Sequence, residues 1–282
     1  MPQDEVIWVD GERSASLPLP DRGLSFGDGL FETLLIVNGR SPWLDYHRQR
    51  LEAGLAALHF PALGSTFDEA VALALSSLAP QAVAALRITV TRGSGPRGYQ
   101  APSPTVPRLV AQLSSLSLDP FTCPAPAKLA VSSLRLASQP LLAGIKHLNR
   151  LEQVLATREF RAQNVDEAVM CNQQGQVVSV VAGNLFAVVK GELYTPSLQD
   201  CGVSGTRRRA LIERWAPRLG LTVHQQALSL EQCLDADELL FCNSLQGLRA
   251  VAQLGAKCWG EHPLSQALQQ QYLADLQQSV GL

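Results

Sequence analysis

Lys146 is one of four lysines in a chain of 282 residues, and it lies in the run Gly144-Ile145-Lys146-His147-Leu148-Asn149-Arg150-Leu151-Glu152-Gln153. A lysine becomes a nucleophile when burial lowers its pKa, because the neutral amine then attacks a carbonyl and can hold a cofactor as a Schiff base. The other three have plainer surroundings: Lys190 sits in the turn-like Lys190-Gly191, and Lys128 and Lys257 flank apolar runs. Taken alone, Lys146 reads equally well as an ordinary charged residue at a helix start. A second group with chemical potential is Gly202-Val203-Ser204-Gly205-Thr206-Arg207. A glycine- and serine-containing turn that opens into a helix offers free backbone N–H groups and the positive end of the helix dipole, both of which favour phosphate. Such turns also simply cap helices. A phosphorylated cofactor held there, with a lysine free to form an imine, would be pyridoxal 5′-phosphate (PLP).

The elements that must position these groups are legible in outline. An apolar content of 46% over 282 residues supports a large buried core in one domain or two. A net charge of −2 without a long basic tract argues against a nucleic-acid partner. No window approaches the roughly 18 uninterrupted apolar residues of a membrane span. The start Met1-Pro2-Gln3-Asp4-Glu5 does not read as a signal peptide, so a cytoplasmic enzyme is expected. Cys123, Cys171, Cys201, Cys233, Cys242 and Cys258 are dispersed, without the close pairs of zinc or redox motifs, and read as reduced thiols, several of them buried.

Residues 6–9, 31–37 and 86–90 read as strands, with Leu86, Ile88 and Val90 facing one way and Arg87 and Thr89 the other. Asn38-Gly39 signals a hairpin turn. After Asp45 a helix places Leu51, Leu55 and Leu58 on one stripe, and Thr66-Phe67-Asp68-Glu69 reads as a capping box. The polar, proline-ended 114–120 is the expected linker, giving a small α+β domain over 1–114, a linker over 115–120 and a larger domain over 121–282. In the latter, a helix after Lys146 carries Leu148, Leu151, Val154 and Leu155 on one face. Strands are expected at 167–171, 177–181, 185–189 and 238–242, with a turn at Gln173-Gln174-Gly175, a helix from Thr206 to about Arg218 and a capping box at Ser229 to Gln232. A cleft between two such domains is where a ligand would bind.

Gly27-Asp28-Gly29-Leu30-Phe31-Glu32-Thr33, His47-x-x-Arg50-Leu51, the Lys146 segment, Asn184-Leu185-Phe186, Gly202-Val203-Ser204-Gly205 and Asn243-Ser244 resemble, in order and spacing, the class IV PLP enzymes. That family includes branched-chain aminotransferases, D-amino-acid aminotransferases and aminodeoxychorismate lyases. GIKHLNRLEQVLA around Lys146 and RGSGPRGY from Arg92 to Tyr99 are similar to the lyases in particular. The resemblance runs from about Asp21 to Ala252. It implies the two-domain α+β fold type IV, like that of D-amino-acid aminotransferase, with a small N-terminal α/β sandwich and a larger C-terminal mixed α/β domain. It also implies a PLP cofactor and a homodimer that shares residues across its interface. By the same resemblance, Lys146 holds the cofactor and shuttles protons, and Arg50 clamps its phosphate. The backbone around Gly205, Thr206 and Arg207, with the Ser244 hydroxyl, completes the cradle, and Asn184 belongs to the cofactor-binding set. Phe31, Arg97 and Tyr99 border the substrate, Arg97 as a carboxylate partner. On residue type alone Arg50 is also a solvated helix arginine, Tyr99 a core aromatic, and Arg92 and Arg97 exposed loop charges.

One position departs from the family's pattern. Where a glutamate usually faces the pyridine nitrogen, Val177-Val178-Ser179-Val180 aligns Ser179. A hydroxyl hydrogen-bonds a neutral pyridine and does not keep it protonated, which weakens the electron sink. Transamination suffers most from that loss. Elimination of pyruvate from 4-amino-4-deoxychorismate restores an aromatic ring and depends on the sink less. The resemblance therefore implies a lyase that gives 4-aminobenzoate for folate synthesis. The alternatives are a D-amino-acid or branched-chain aminotransferase and a non-catalytic PLP-binding relative.

Overall fold

The computed structural model describes residues 5–14 and 16–282. Met1 to Asp4, on which most of the reading of the start rests, lie outside the described residues. The chain divides into two compact units: Met1–Pro120 with Ile145–Asn149 and Gln278–Leu282, and Phe121–Gly144 with Arg150–Gln277. The short segment that carries Lys146 thus belongs to the first unit.

The first unit is built on a five-stranded antiparallel sheet: β1 (Glu5–Val9), β2 (Glu12–Arg13), β3 (Gly29–Val37), β4 (Val83–Thr91) and β5 (Arg108–Ser115), in the order β2-β1-β5-β4-β3. Ser114 and Ser115 are the last residues of β5 and pair with Ala85 and Ala84. The expected alternation in β4 holds, with Leu86, Ile88 and Val90 buried and Arg87 and Thr89 half-buried on the other face. Helices α2 (Leu44–Ala57) and α3 (Thr66–Ser76) cover the buried face, contributing Leu51, Leu55, Phe67, Val71 and Ala74. Each of the larger side chains among these stabilises the fold by roughly 1.5–3 kcal/mol relative to exposure. Leu58 lies just past the helix end as its C-cap. The α3 signal was read one residue late: Ser65 is the N-cap, and its hydroxyl donates to Glu69 Oε1 at 2.6 Å. Asn38 and Gly39 both take positive φ, as a tight turn requires, but the turn closes on a single bridge between Val37 and Arg40 and leads to α2. The short α1 (Arg22–Phe26) is capped by Asp21, whose carboxylate accepts from the Gly23 and Leu24 N–H groups.

The second unit holds a ten-stranded mixed sheet. Its strands are β6 (Ala127–Leu136), β7 (Glu167–Asn172), β8 (Gln176–Val180), β9 (Asn184–Val189), β10 (Glu192–Pro196), β11 (Val223–Gln226), β12 (Leu228–Ser229), β13 (Glu238–Asn243), β14 (Gly247–Leu254) and β15 (Lys257–Cys258). β7, β9 and β13 are buried almost throughout, which explains why they read as continuous apolar runs rather than alternating ones. Helix α4 (Leu151–Ala162) crosses over between the parallel β6 and β7. Here the expected packing is corrected: Ala156 and Phe160 are its buried residues, and Leu151 (76% exposed), Val154 and Leu155 face outward. Leu148 precedes the helix. From Thr206 to Arg218 the chain is helical as expected, in three pieces: α5 (Thr206–Ala210), a π-helical turn at Leu211–Trp215 and α6 (Ala216–Arg218). Trp215 within it is fully buried and donates to Asp275 of α8 (Pro263–Val280) at 3.1 Å. The capping box at Ser229 and Gln232 forms in full and opens α7 (Leu230–Asp235).

Candidate active site

Lys146 does not stand at a helix start. Its segment runs extended along the beginning of β3, with Phe31 N–H donating to the Lys146 carbonyl at 2.9 Å and Leu148 N–H to the Gly29 carbonyl at 3.0 Å. Gly29 is required for this approach, because a Cβ there would land on the Val90 carbonyl and the Leu148 side chain. The Lys146 ammonium lies 4.1 Å from the centroid of the Phe31 ring, so two of the expected site residues meet.

The next residue of β3 points to the opposite face and anchors a third. Glu32, buried in an otherwise apolar strand, accepts from Arg50 Nε at 2.7 Å and Nη2 at 2.5 Å, and from His47 at 2.6 Å. Burial alone would raise the Glu32 carboxyl. The Arg50 charge and hydrogen bonds, followed by those of His47, outweigh it and bring its pKa down to about 2. Arg50 is therefore not the solvated helix arginine its sequence position allows. His47 and Arg50 are three apart on α2, so both reach the same carboxylate.

The loop of residues 92–107 is strapped down by two more arginines. Arg22 donates to the carbonyls of Gly98, Tyr99 and Gln100 and pairs with Asp28 at 2.9 Å. Arg92 pairs with the same Asp28, donates to the Leu58 and His59 carbonyls and stacks 3.9 Å over Phe60. Arg92 is thus a buried structural residue and not an exposed loop charge. Tyr99 is no core aromatic: it is 89% exposed, and its ring lies tilted against that of Phe26 at 5.5 Å between centroids. Arg97 is exposed beside it.

In the second unit, Gly144 N–H donates to the Gly202 carbonyl at 3.0 Å and Ser204 N–H to the Gly144 carbonyl at 2.9 Å, fixing the turn before α5. A Cβ on Gly205 would fall on Asn184 Oδ1, while Asn184 Nδ2 donates to the Val203 carbonyl at 2.9 Å, so Asn184 and Gly205 lock the turn together. Thr206 and Arg207 are buried, and Arg207 Nη2 reaches the Ser244 carbonyl at 3.2 Å. Asn184, Gly205, Thr206, Arg207 and Ser244 are thereby gathered in one place. Nearby Cys242 is driven up to about 12 by burial, against the pull of Arg208 and Arg207, and stays a thiol. Ser179 stands half-buried on β8 opposite Met170. The turn that follows is held by Glu167, which accepts from Ala182 N–H at 3.0 Å and is pushed up to about 7 by burial.

The class IV aminotransferase profile matches residues 29–254, from Gly29 at the start of β3 to Leu254 at the end of β14. The chain belongs to that family. It is 35% identical over 261 residues to an aminodeoxychorismate lyase of Vibrio harveyi, covering 89% of this chain and 92% of the relative. A 4-amino-4-deoxychorismate lyase structure from Pseudomonas aeruginosa superposes with a TM-score of 0.85 at 38% identity, covering 96% of this chain and 99% of that one. A putative branched-chain-amino-acid aminotransferase of Methanocaldococcus jannaschii is 28% identical, over 89% of this chain and 88% of the relative. The two-unit α+β architecture is that of fold type IV.

Sequence reading found the class IV motifs but not all of their working parts. Asp28 and Glu32 stand in the Gly27-to-Thr33 motif without an assigned role and Arg22 is outside it, although an acid in an apolar strand and an Asp between two glycines are both signals that a charge partner is near. Among the described residues no group of His, Cys, Asp and Glu is arranged to hold a metal ion, and no helix is long and apolar enough to cross a membrane.

Proposed function

We propose that the chain is a PLP-dependent 4-amino-4-deoxychorismate lyase that releases 4-aminobenzoate and pyruvate, supplying folate synthesis in the cytoplasm. The observation that carries this reading is 38% identity across nearly the whole chain to a protein of that activity. The residues present suit the cofactor. Gly205, shaped to admit backbone close to Asn184, leads into a helix with the buried Arg207 behind it, which is a donor set for a phosphate. Arg50, held rigid by Glu32, is a further cation for that anion.

PLP when bound withdraws electrons from the carbon that bears the substrate amine. Lys146 would hold the cofactor through its amine and, freed when the substrate amine takes its place, would remove the proton from C4 of the substrate ring. The ring C–O bond to the enolpyruvyl group breaks as it does so, the departing enol taking up a proton to give pyruvate. Phe31 supports the Lys146 side chain from β3. Arg97 and Tyr99, presented to solvent by their strapped loop, are the substrate contacts, and Arg97 takes a carboxylate. Incubation of the purified protein with enzymatically generated aminodeoxychorismate should yield 4-aminobenzoate and pyruvate in equal amounts. A protein that carries PLP and forms neither product would refute the assignment.

Ser179 sets the balance between this reaction and transamination. Ser179→Glu should raise side transamination of simple amino acids more than lyase turnover, because only transamination lacks aromatisation to assist proton removal. An unchanged ratio in both Ser179→Glu and Ser179→Ala, at matched cofactor occupancy, would remove Ser179 from the pyridine nitrogen.

The outward stripe of α4 supports a homodimer. Leu151, Val154 and Leu155 fall at helical spacing on one face, an arrangement that buries well only against another surface. Leu151→Glu with Leu155→Glu should shift the protein from dimer to monomer in analytical ultracentrifugation. A dimer of undiminished affinity would place the interface elsewhere. The six cysteines are all unpaired, in keeping with a reducing compartment.

A further inference from the structure

A cavity of about 340 Å³ opens between α2 and α3 of the first unit, and none of its walls belongs to the residues assigned to cofactor or substrate. Its floor is apolar: Leu51 and Leu55 come from α2, Phe67 from α3, and Phe60 and Leu63 from the connection between the two helices. That connection turns at His59 and Gly64, both at positive φ. The exposed residues of the lining, Ala56, Ala62 and Gly64, are too small to fill the mouth. A water held in place needs two to four polar partners, which such a floor does not offer, so its surface gains by taking an apolar body out of solvent. Size and lining are those of a small-molecule pocket.

The charges around the pocket set the sign of what it takes. Arg48, Glu52 and Asp68 line it. Arg48 is already engaged, donating to Asp68 at 2.6 Å and to Asp45 at 2.7 Å. One guanidinium thus serves two carboxylates, and among the described residues Glu52 makes no ion pair. An anion bound here would meet Glu52 with no spare cation to offset it, whereas a cation would complete it.

We propose that this pocket is a second ligand site, taking a small molecule with an aromatic or branched apolar body and a single cationic group. The body rests on Leu51, Leu55 and Phe67, and the cation meets Glu52. Phe60 is also the ring on which Arg92 stacks at 3.9 Å, so an occupant packs against the residue that carries the anchor of the 92–107 loop. The site is independent of the lyase reading, because its occupancy is measured without turnover.

Calorimetric titration of the full-length protein with benzyltrimethylammonium tests this. The probe has an aromatic body and a fixed positive charge, and it cannot form an imine with the cofactor. It should bind saturably with a Kd of roughly 0.1–10 mM, and saturating probe should raise Tm. Glu52→Gln should weaken binding about two- to fivefold, the range for an exposed charge pair. Ala56→Trp, which places a large side chain at the mouth, should weaken it roughly tenfold or more, and Ala62→Trp on the connecting segment gives the same reading if that variant does not fold. A parent Kd above about 10 mM would overturn the proposal. So would parent-like affinity in both tryptophan variants, which would place the probe elsewhere on the protein. Loss of binding in the tryptophan variants with undiminished affinity in Glu52→Gln would overturn the cationic class and leave a pocket for neutral apolar molecules.

Discussion

Lys146→Ala is expected to abolish lyase turnover, by roughly 10³-fold or more, since in the proposed mechanism the one residue serves as cofactor anchor and as base. Borohydride reduction of the parent followed by peptide mapping should place a pyridoxyl adduct on Lys146. Finding it on Lys128, Lys190 or Lys257 would reassign the anchor. The variant should still retain PLP weakly, because the phosphate contacts proposed for the Gly205 turn and for Arg50 do not depend on the covalent link. The extended backbone of residues 145–149 is held by main-chain bonds to β3, so the variant should fold as the parent does. Near-native turnover in Lys146→Ala would rule out the proposed mechanism.

Arg50→Ala should show two losses that can be separated. Cofactor binding should weaken by roughly 2–4 kcal/mol if Arg50 contacts the phosphate. Stability should fall as well, by roughly 3–5 kcal/mol, because Glu32 is left as a buried carboxylate with only His47 beside it. That corresponds to a drop in Tm on the order of 10 °C. Adding Glu32→Gln to Arg50→Ala should restore much of the stability without restoring cofactor retention. A parent-like Tm for the single variant would show the pair to be unimportant, and parent-like retention after dialysis would remove Arg50 from the cradle. The pH dependence follows from the same carboxyl. Its folded pKa, about 2, lies below the ordinary 4.5, so its stabilising effect is full above 4.5 and is lost as pH falls from there through about 2. Melting curves across that range should converge for the parent and Glu32→Gln as the pH drops.

Much of this was legible in the chain, and the failures share a cause. Alternation located β4, and unbroken apolar runs located β7, β9 and β13, because those patterns follow directly from one or two buried faces. Periodicity also found the stripe of Leu151, Val154 and Leu155, but an apolar face has the same spacing whether it meets its own sheet or another surface. Only the folded chain shows Ala156 and Phe160 inward. The motif around Lys146 pointed to its chemistry, yet its backbone conformation depends on pairing with Gly29 and Phe31, more than a hundred residues earlier. The partners Glu32, Asp28 and Arg22 were obscure for a related reason: a charged residue announces that it needs a counter-charge, not where in the chain the counter-charge lies. Arg92 and Tyr99, seven apart in one glycine-rich loop, met opposite fates for reasons invisible to local composition.

That loop has a thermodynamic consequence. A segment of this length with four prolines and three glycines among residues 92–107 would ordinarily sample many conformations, and a ligand that engaged it would lose affinity to the cost of ordering it. Here Arg22 spends its guanidinium on three successive carbonyls, and Asp28 ties that arginine to Arg92 and so to the end of β4. The backbone beneath Arg97 and Tyr99 is already tied by these hydrogen bonds before anything binds, leaving mainly side-chain torsions to be fixed. The ordering entropy of the loop is therefore met during folding, and whatever these two side chains grip is held with an affinity nearer to that of a rigid surface than of a flexible one.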